Sequence, residues 1–270
     1  MNRTGGAAVN AHRSYRVQRV PRGRQVVLDV LAGAARRYPV HALVEFDVTV
    51  AEQRLRDRGG AVSWTGFVVA TVARALAAHP EVNARRAGGR LLVFDRVDVA
   101  VTVERPVGGA FVPVAVTVRN ADRKSGQIIT EELQRAKTRP ALEPPRGPLS
   151  GLAMLPSPIR RRLLRLAGRN PAVAARFGPA VGVTSLGMFA AGGGWAIPIA
   201  PLTVTVTVGS VTPRPMVIDG HVVARAMLPL TITFDHSVVD GAPAARFTAT
   251  FRNLTESAAA LDPGDEEGPP

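Results

Sequence analysis

The 270-residue sequence has no cysteine, only 5% aromatic residues and only two lysines, Lys124 and Lys137, among 34 basic residues. Without cysteine the chain can form no disulfide framework, no thiolate metal site and no cysteine nucleophile. The low aromatic content leaves few stacking platforms for single-stranded nucleic acid. The histidines at positions 12, 41, 79 and 221 have no ligand-like spacing, so no metal site is expected.

The sequence also lacks long uninterrupted apolar runs. The first 25 residues contain no apolar core of the length that a signal peptide needs, which favours a cytoplasmic location. The longest uncharged stretch, residues 177–213, is interrupted by glycine and proline and includes the alternating pattern TVTVTV, residues 203–208. That alternation predicts buried strands and argues against a membrane-spanning helix.

Positive charge is abundant, and it is almost all arginine. Basic residues exceed acidic ones by 34 − 21 = 13. The field of such a chain attracts anions, but net charge alone does not choose among nucleic acid, an anionic membrane face and a small phosphorylated ligand. Hydrophobic residues at 46% and charged residues at 20% are typical of a folded globular protein.

The hydrophobic patterns predict an α/β protein, a mixed sheet flanked by helices. The predicted helices are 26–37, 66–78, 124–137, 159–176 and 242–257, and the predicted strands are 41–50, 90–94, 97–104, 111–119, 180–185, 202–211 and 227–234. We expect a basic flexible arm at 1–25, one domain at 26–257 with a basic insertion at about 140–178, and an acidic disordered tail at 258–270.

The strongest local signal is the segment FDHSVVDG, residues 234–241, between an alternating strand pattern and a helix pattern. It places His236 at a strand end, where an imidazole can act as a general base near neutral pH. Asp240, four residues on, can hold the loop or cap the next helix, and Gly241 allows a tight turn. A histidine that is merely hydrogen-bonded at a strand end remains the alternative.

The segment LPLTITFDHSVVDGAPAARFTATFRNLTE resembles the carboxy-terminal signature of the dihydrolipoyl acyltransferase components of 2-oxoacid dehydrogenase complexes. Other similar segments follow the family's order: HPEVNAR at 79–85, VRNADRKS at 118–125 and VTSLGMF at 183–189. The resemblance covers roughly Arg37 to Ser257. It implies the chloramphenicol acetyltransferase-like fold and a catalytic domain that transfers acyl groups between coenzyme A and a lipoyl thiol.

The resemblance also assigns roles to individual residues. His236 falls on the family's catalytic histidine, and Thr184 falls on the hydroxyl residue that hydrogen-bonds the tetrahedral oxyanion; in the family the two come from neighbouring subunits of a trimer. Asp240 matches the carboxylate of the motif, where it holds loop geometry through an arginine that the sequence does not identify. Ser185, Gly187 and Gly241 are implied in substrate binding. An ordinary strand threonine is the alternative for Thr184.

This chain departs from the family at several points. Ser237 stands where the family usually has a basic residue, and no lipoyl domain is recognised before the catalytic region. We therefore expect no covalently bound cofactor, coenzyme A thioester as substrate and a lipoyl group on a separate carrier protein. The acidic tail replaces the apolar carboxy terminus used in large cores, which favours a lone homotrimer.

The arginine-rich pattern of residues 159–176 predicts a basic amphipathic helix. It is either a solvated face or a surface that docks a membrane or an acidic carrier protein, and no nucleic-acid partner is expected. Two other functions stay open. One is an acyl or condensation enzyme of secondary metabolism that shares the His-x-x-x-Asp-Gly motif, and the other is a non-catalytic trimeric scaffold.

Overall fold

The computed structural model describes residues 15, 17, 20, 22–107, 110–138, 155–185 and 193–261. The strands are β1 Pro39–Asp47, β2 Ala84–Ala87, β3 Arg90–Val93, β4 Val99–Val107, β5 Ala110–Val118, β6 Val181–Ser185, β7 Val204–Val208, β8 Thr212–Ile218 and β9 His221–Asp235. The helices are α1 Arg22–Ala34, α2 Thr49–Asp57, α3 Trp64–Ala78, α4 Gly126–Thr138, α5 Ser157–Ala167, α6 Pro171–Ala174 and α7 Gly241–Glu256. None of the helices in these ranges is long and apolar enough to cross a membrane.

Seven of the strands form one mixed sheet. Its order is β1-β9-β7-β6-β4-β5, with β8 added alongside part of β9. Strand β6 runs parallel to β4 and to β7, and the other neighbours are antiparallel. The two short strands β2 and β3 form a separate ribbon. This mixed sheet with flanking helices confirms the predicted α/β class.

The longest strand, β9, has two different environments. Its first half pairs with β8 as a hairpin from His221 to Met227 and is largely exposed. Its second half, Met227–Asp235, lies between β1 and β7 and is almost entirely buried. The sequence predicted only this buried half. It missed β8 because Pro213 and Pro215 argue against a strand, but β8 lies beside β9 alone, where prolines on an unpaired edge are tolerated.

The core lies between the sheet and helices α3 and α7. Helix α3 is buried on nearly every side, as its apolar sequence requires. It approaches α4 so closely that a Cβ built on Gly66 would lie 2.1 Å from Thr130 Oγ1. Phe247 and Phe251 of α7 are fully buried, and the ring of Phe251 meets that of Phe46 edge-on at 5.2 Å. Helix α7 therefore packs on the core through these two phenylalanines.

Two predicted helices differ from the structure by more than two residues. Helix α1 begins at Arg22 and ends at Ala34, so it includes the end of the segment predicted as a flexible arm. The predicted basic helix 159–176 is two helices, α5 and α6, because Gly168 and Pro171 interrupt it. Asn170 then starts α6, since its Oδ1 accepts hydrogen bonds from the next turn.

The predicted acidic tail begins later than residue 258. Ala258, Ala260 and Leu261 are buried, and the carbonyl of Leu261 accepts a hydrogen bond from Arg58 at 2.7 Å. The prediction of a disordered tail is therefore wrong for residues 258–261, which pack on the core. The rest of the tail, residues 262–270, lies outside the described residues.

Candidate active site

His236 follows β9 directly, at the point where the chain leaves the sheet. Its backbone N–H donates to the carbonyl of Tyr38 at 2.8 Å, and the N–H of Asp235 donates to the carbonyl of Thr203 at 2.8 Å. The imidazole itself is 51% exposed. The backbone is thus fixed by both neighbouring segments while the ring stays accessible, which is the arrangement that a general base needs.

A partly buried ion pair fixes the turn that carries His236. Arg37 Nη1 lies 2.8 Å from Asp235 Oδ2 and also donates to the carbonyl of Leu202 at 3.3 Å. The other oxygen of Asp235 accepts from the N–H of Ser237 at 3.1 Å. The Asp235 side chain is only 5% exposed, whereas that of Arg37 is 29% exposed. Arg37 therefore joins the chain before β1 to the end of β9.

The sequence did not identify this pair. The motif directed attention to Asp240 and to an unknown arginine, whereas the arginine at the turn, Arg37, pairs with Asp235. The two residues are 198 positions apart, and no local pattern links them. The one sequence signal for this pair was an arginine, Arg37, directly before Tyr38 and β1. It points to Asp235 only once β1 is known to lie beside β9.

Asp240 lies next to the imidazole. Its Oδ1 is 3.4 Å from His236 Nδ1, a longer separation than that of a strong hydrogen bond. Asp240 occupies the N-cap position of α7, yet its side chain caps no backbone N–H there. The side chain therefore takes neither of the two expected roles: it caps no backbone N–H, and within the described residues it pairs with no arginine, but lies 82% exposed beside the imidazole.

Thr184 lies in β6 within a row of four threonines that crosses the sheet. In register, Thr102 of β4, Thr184, Thr207 of β7 and Thr231 of β9 are neighbours. Neighbouring residues in register point to the same face of a sheet. Thr207 and Thr231 are buried and their hydroxyls have no partner, whereas Thr184 is half-buried and Thr102 is exposed. The row thus places the Thr184 hydroxyl at a partly open position.

Thr184 and His236 do not meet within one chain. The residue level with Thr184 on β9 is Thr231, and His236 lies five positions further along. At about 3.3 Å per residue and about 4.8 Å per strand spacing, their Cα atoms are about 19 Å apart. Neither side chain can span that distance, so one copy of the chain holds the two groups at separate ends of the sheet.

The three remaining predicted residues differ in what the structure says of them. Ser185 is half-buried at the end of β6 and, because strand residues alternate, faces away from the side that Thr184 faces. Gly187 lies outside the described residues. Gly241 starts α7 without a positive φ, and a Cβ there would meet no atom within 4 Å. The expected tight turn is therefore wrong for Gly241, and the fold of one chain does not require glycine there.

A second buried arginine lies close to Arg37. Arg85 of β2 donates to the carbonyls of Ala174 at 3.0 Å and Pro179 at 2.5 Å. Burial, and next the charge of Arg37, lower the pKa of Arg85 to about 10. Arg85 therefore attaches the end of the basic insertion to the same end of the sheet as His236. Across the described ranges, no three His, Asp or Glu side chains are grouped to hold a metal ion.

The chain is similar to known proteins over most of its length. The family described as 2-oxoacid dehydrogenases acyltransferase (catalytic domain) matches residues 31–141 and 177–261. The gap between these ranges coincides with the predicted basic insertion. The lipoamide acyltransferase component of the branched-chain alpha-keto acid dehydrogenase complex of Pseudomonas aeruginosa is 30% identical over 271 residues, covering 96% of this chain and 56% of that protein.

Two solved structures share the fold. The cubic core of the pyruvate dehydrogenase multienzyme complex superposes with a TM-score of 0.67 at 23% identity, covering 94% of this chain and 97% of that one. The dihydrolipoamide acetyltransferase of Azotobacter vinelandii gives a TM-score of 0.66 at 24% identity, with coverage of 94% and 97%. The chain spans about half the length of the curated relatives that it matches.

Proposed function

This chain belongs to the 2-oxoacid dehydrogenase acyltransferase family, catalytic domain, and from that premise we propose that it transfers an acyl group between coenzyme A and a dihydrolipoyl thiol. The observation that carries the proposal is the placement of His236. It is an accessible imidazole on a fixed backbone, with the Asp240 carboxylate facing its Nδ1.

His236 acts as the general base. When Asp240 accepts a hydrogen bond from Nδ1–H, the proton of the neutral ring stays on Nδ1, and the unprotonated Nε2 can take the proton of the attacking thiol. The thiol sulfur then forms a bond to the thioester carbonyl carbon. As the tetrahedral intermediate collapses, the original carbon–sulfur bond breaks and His236 returns the proton to the departing thiolate. The separation of 3.4 Å is compatible with this role, because catalytic hydrogen bonds are often long before substrate binds.

Thr184 donates its hydroxyl to the oxyanion of that intermediate. One preorganised donor of this kind typically raises the rate about a hundred-fold or more. Because Thr184 and His236 are about 19 Å apart within one chain, the complete site needs His236 of one copy and Thr184 of another. We propose a homotrimer with one such site at each interface, since a ring of three identical heterologous contacts closes.

A relative supports these assignments. The Azotobacter vinelandii acetyltransferase was investigated for the catalytic roles of a serine, a histidine and an asparagine, the last two four positions apart. His236 and Asp240 have the same spacing, and Thr184 supplies a hydroxyl as the serine does. A carboxylate in place of the amide accepts from the imidazole more strongly, which favours the basic form of Nε2.

The substrates of the proposed reaction are a coenzyme A thioester and a dihydrolipoyl group. Relatives are named for a dihydrolipoyllysine residue, so the lipoyl thiol is carried there on a protein lysine. We extend this acceptor to the present chain, with the lipoyl group on a carrier protein. Gly241, which directly follows Asp240, is proposed to line the substrate path near His236.

The test is transfer from acetyl-, propionyl- and longer acyl-coenzyme A to free dihydrolipoamide. Wild type is compared with His236→Ala and with His221→Ala, a matched control that removes an exposed histidine from the far end of β9. The expected result is activity in the wild type and the control, and a loss of about a hundred- to ten-thousand-fold in His236→Ala.

Two results would contradict the proposal. If folded, oligomeric wild type transfers no acyl group from any of these donors, the acceptor is another molecule or the protein is a scaffold. If His236→Ala keeps the wild-type rate, the histidine is a structural residue at a strand end. Unchanged far-ultraviolet circular dichroism in both variants shows that both are folded, so a loss of activity in His236→Ala does not come from unfolding.

A further inference from the structure

Helix α5 belongs to the segment that the family match omits, and one of its faces is fixed to the body. Asp29 of α1 is buried and accepts from Arg160 Nε at 2.6 Å and Arg161 Nε at 2.5 Å. Ser157 Oγ donates to the same carboxylate at 2.5 Å. Burial alone raises the pKa of Asp29, but these hydrogen bonds lower it to about 2. The carboxylate therefore stays charged at neutral pH and holds α5 against α1.

The opposite face of α5 carries an apolar stripe open to solvent. Ile159, Leu163 and Leu166 are 50%, 41% and 49% exposed. Their spacing of i, i+4 and i+7 places them on one side of the helix. Isolated exposed leucines are ordinary on protein surfaces, whereas a contiguous exposed stripe of three aliphatic residues marks an interaction site.

Arginines border this stripe without acidic partners. Arg162 and Arg165 lie on the adjoining face of α5, and Arg169 follows just beyond the helix; all three are exposed. Residues 155–185 contain no Asp or Glu. In the described part of the chain, none of the three arginines has a carboxylate partner, in contrast to Arg160 and Arg161. The face is therefore both apolar and strongly cationic.

We infer that this face of α5 binds an anionic lipid surface, with the helix lying in the plane of the headgroups. The aliphatic stripe would enter the boundary of the acyl chains while the guanidinium groups bind lipid phosphates. An acidic protein fits less well, because leucine is under-represented among the anchors of tight protein interfaces and the stripe contains no aromatic side chain. The inference is independent of the proposed acyl transfer.

The experiment is vesicle flotation of the full chain. Phosphatidylcholine vesicles with and without phosphatidylglycerol are compared at low and high salt. The variants are Arg162→Gln/Arg165→Gln/Arg169→Gln and Ile159→Ser/Leu163→Ser/Leu166→Ser. A matched control, Arg56→Gln/Arg119→Gln/Arg135→Gln, removes the same charge from exposed positions elsewhere.

Wild type is expected to float with anionic vesicles only, and less at high salt. Each arginine at the surface strengthens partitioning about five-fold, so the α5 arginine variant loses about a hundred-fold and the matched control far less. The serine variant keeps its charge and still binds more weakly. Circular dichroism melts and acyl transfer in solution show that the variants remain folded and assembled.

Three outcomes overturn the inference. If wild type does not float with anionic vesicles, a lipid surface is excluded. An acidic protein or a second copy of the chain is then left as the partner that covers the stripe. An equal loss in the matched control means that net charge acts without α5. Undiminished binding by the serine variant means that no apolar insertion occurs.

Discussion

Mixing two inactive variants tests whether the active site is shared between copies. His236→Ala lacks the proposed base and Thr184→Ala lacks the proposed oxyanion donor. Because the two residues lie about 19 Å apart along the sheet of one chain, no conformational adjustment of side chains unites them. A complete site therefore combines His236 of one copy with Thr184 of a neighbouring copy. In a mixed oligomer, Thr184→Ala supplies the histidine and His236→Ala supplies the threonine.

The expected recovery follows from counting interfaces. In an equal, random mixture, half of the copies that give His236 are intact and half of the copies that give Thr184 are intact. About a quarter of the sites in the whole random mixture are therefore complete, and a trimer that contains both variants has one complete site among its three. Each homogeneous variant is expected to lose about a hundred-fold or more, so a recovery to about a third of wild-type activity in the mixed trimers is easy to detect.

The assay is acyl transfer by protein that is coexpressed with two different tags, so that mixed oligomers can be purified through both. Homogeneous variants mixed after assembly, without exchange of subunits, serve as the control and should stay inactive. The reasoning is refuted if doubly tagged oligomers are no more active than the mean of the two variants. In that case His236 works with a donor from its own chain, or Thr184 is an ordinary strand residue.

Three further results are expected. Asp29→Asn removes the negative charge that faces the buried guanidinium of Arg160. The free energy of unfolding should fall by about 3 to 5 kcal/mol, measured by urea denaturation, and a loss below 1 kcal/mol would contradict this. The pKa of Asp29 is about 2 in the folded protein and 3.8 in the unfolded chain. The carboxylate therefore stabilises the folded protein fully above about pH 4, and this stabilisation disappears as the pH falls towards 2. The melting temperature of the wild type should fall over this range for that reason, and Asp29→Asn should not show this fall. Gly66→Ala brings a Cβ against Thr130 and should cost about 1 to 3 kcal/mol, whereas Gly241→Ala should leave the melting temperature unchanged and lower only acyl transfer; equal melting temperatures for both variants would refute the packing argument.

Local patterns predicted the elements whose residues are buried regularly. The alternation of Leu228, Leu230, Ile232 and Phe234 predicted the buried half of β9, because those side chains face the core in the structure. Helix α2 was missed because only Ala51 and Leu55 of its nine residues are buried, and the preceding strand pattern continues into it. Its charged exposed face gave too weak a period to separate a helix from a strand end.

The parts of the candidate site that lie within one short segment could be predicted from the sequence. The parts formed by segments distant in sequence could not. His236 and Asp240 are four positions apart, and the sequence placed both at a strand end, as the structure does. The pairing of Arg37 with Asp235 depends on β1 lying beside β9, and strand neighbours distant in sequence leave no local trace. The separation of Thr184 from His236 required the register of three strands.

Strand β9 is continuous from the turn of its hairpin with β8 to the residue before His236. From His221 to Asp235 it extends about 45 Å at about 3.3 Å per residue. A slip of one residue in the pairing of β9 with β1 and β7 would move the imidazole by about 3.3 Å and turn every side chain of the strand to the opposite face. The position of the reacting nitrogen is therefore set by the register of these two ladders, from Met227 opposite Asp47 to Asp235 opposite Pro39.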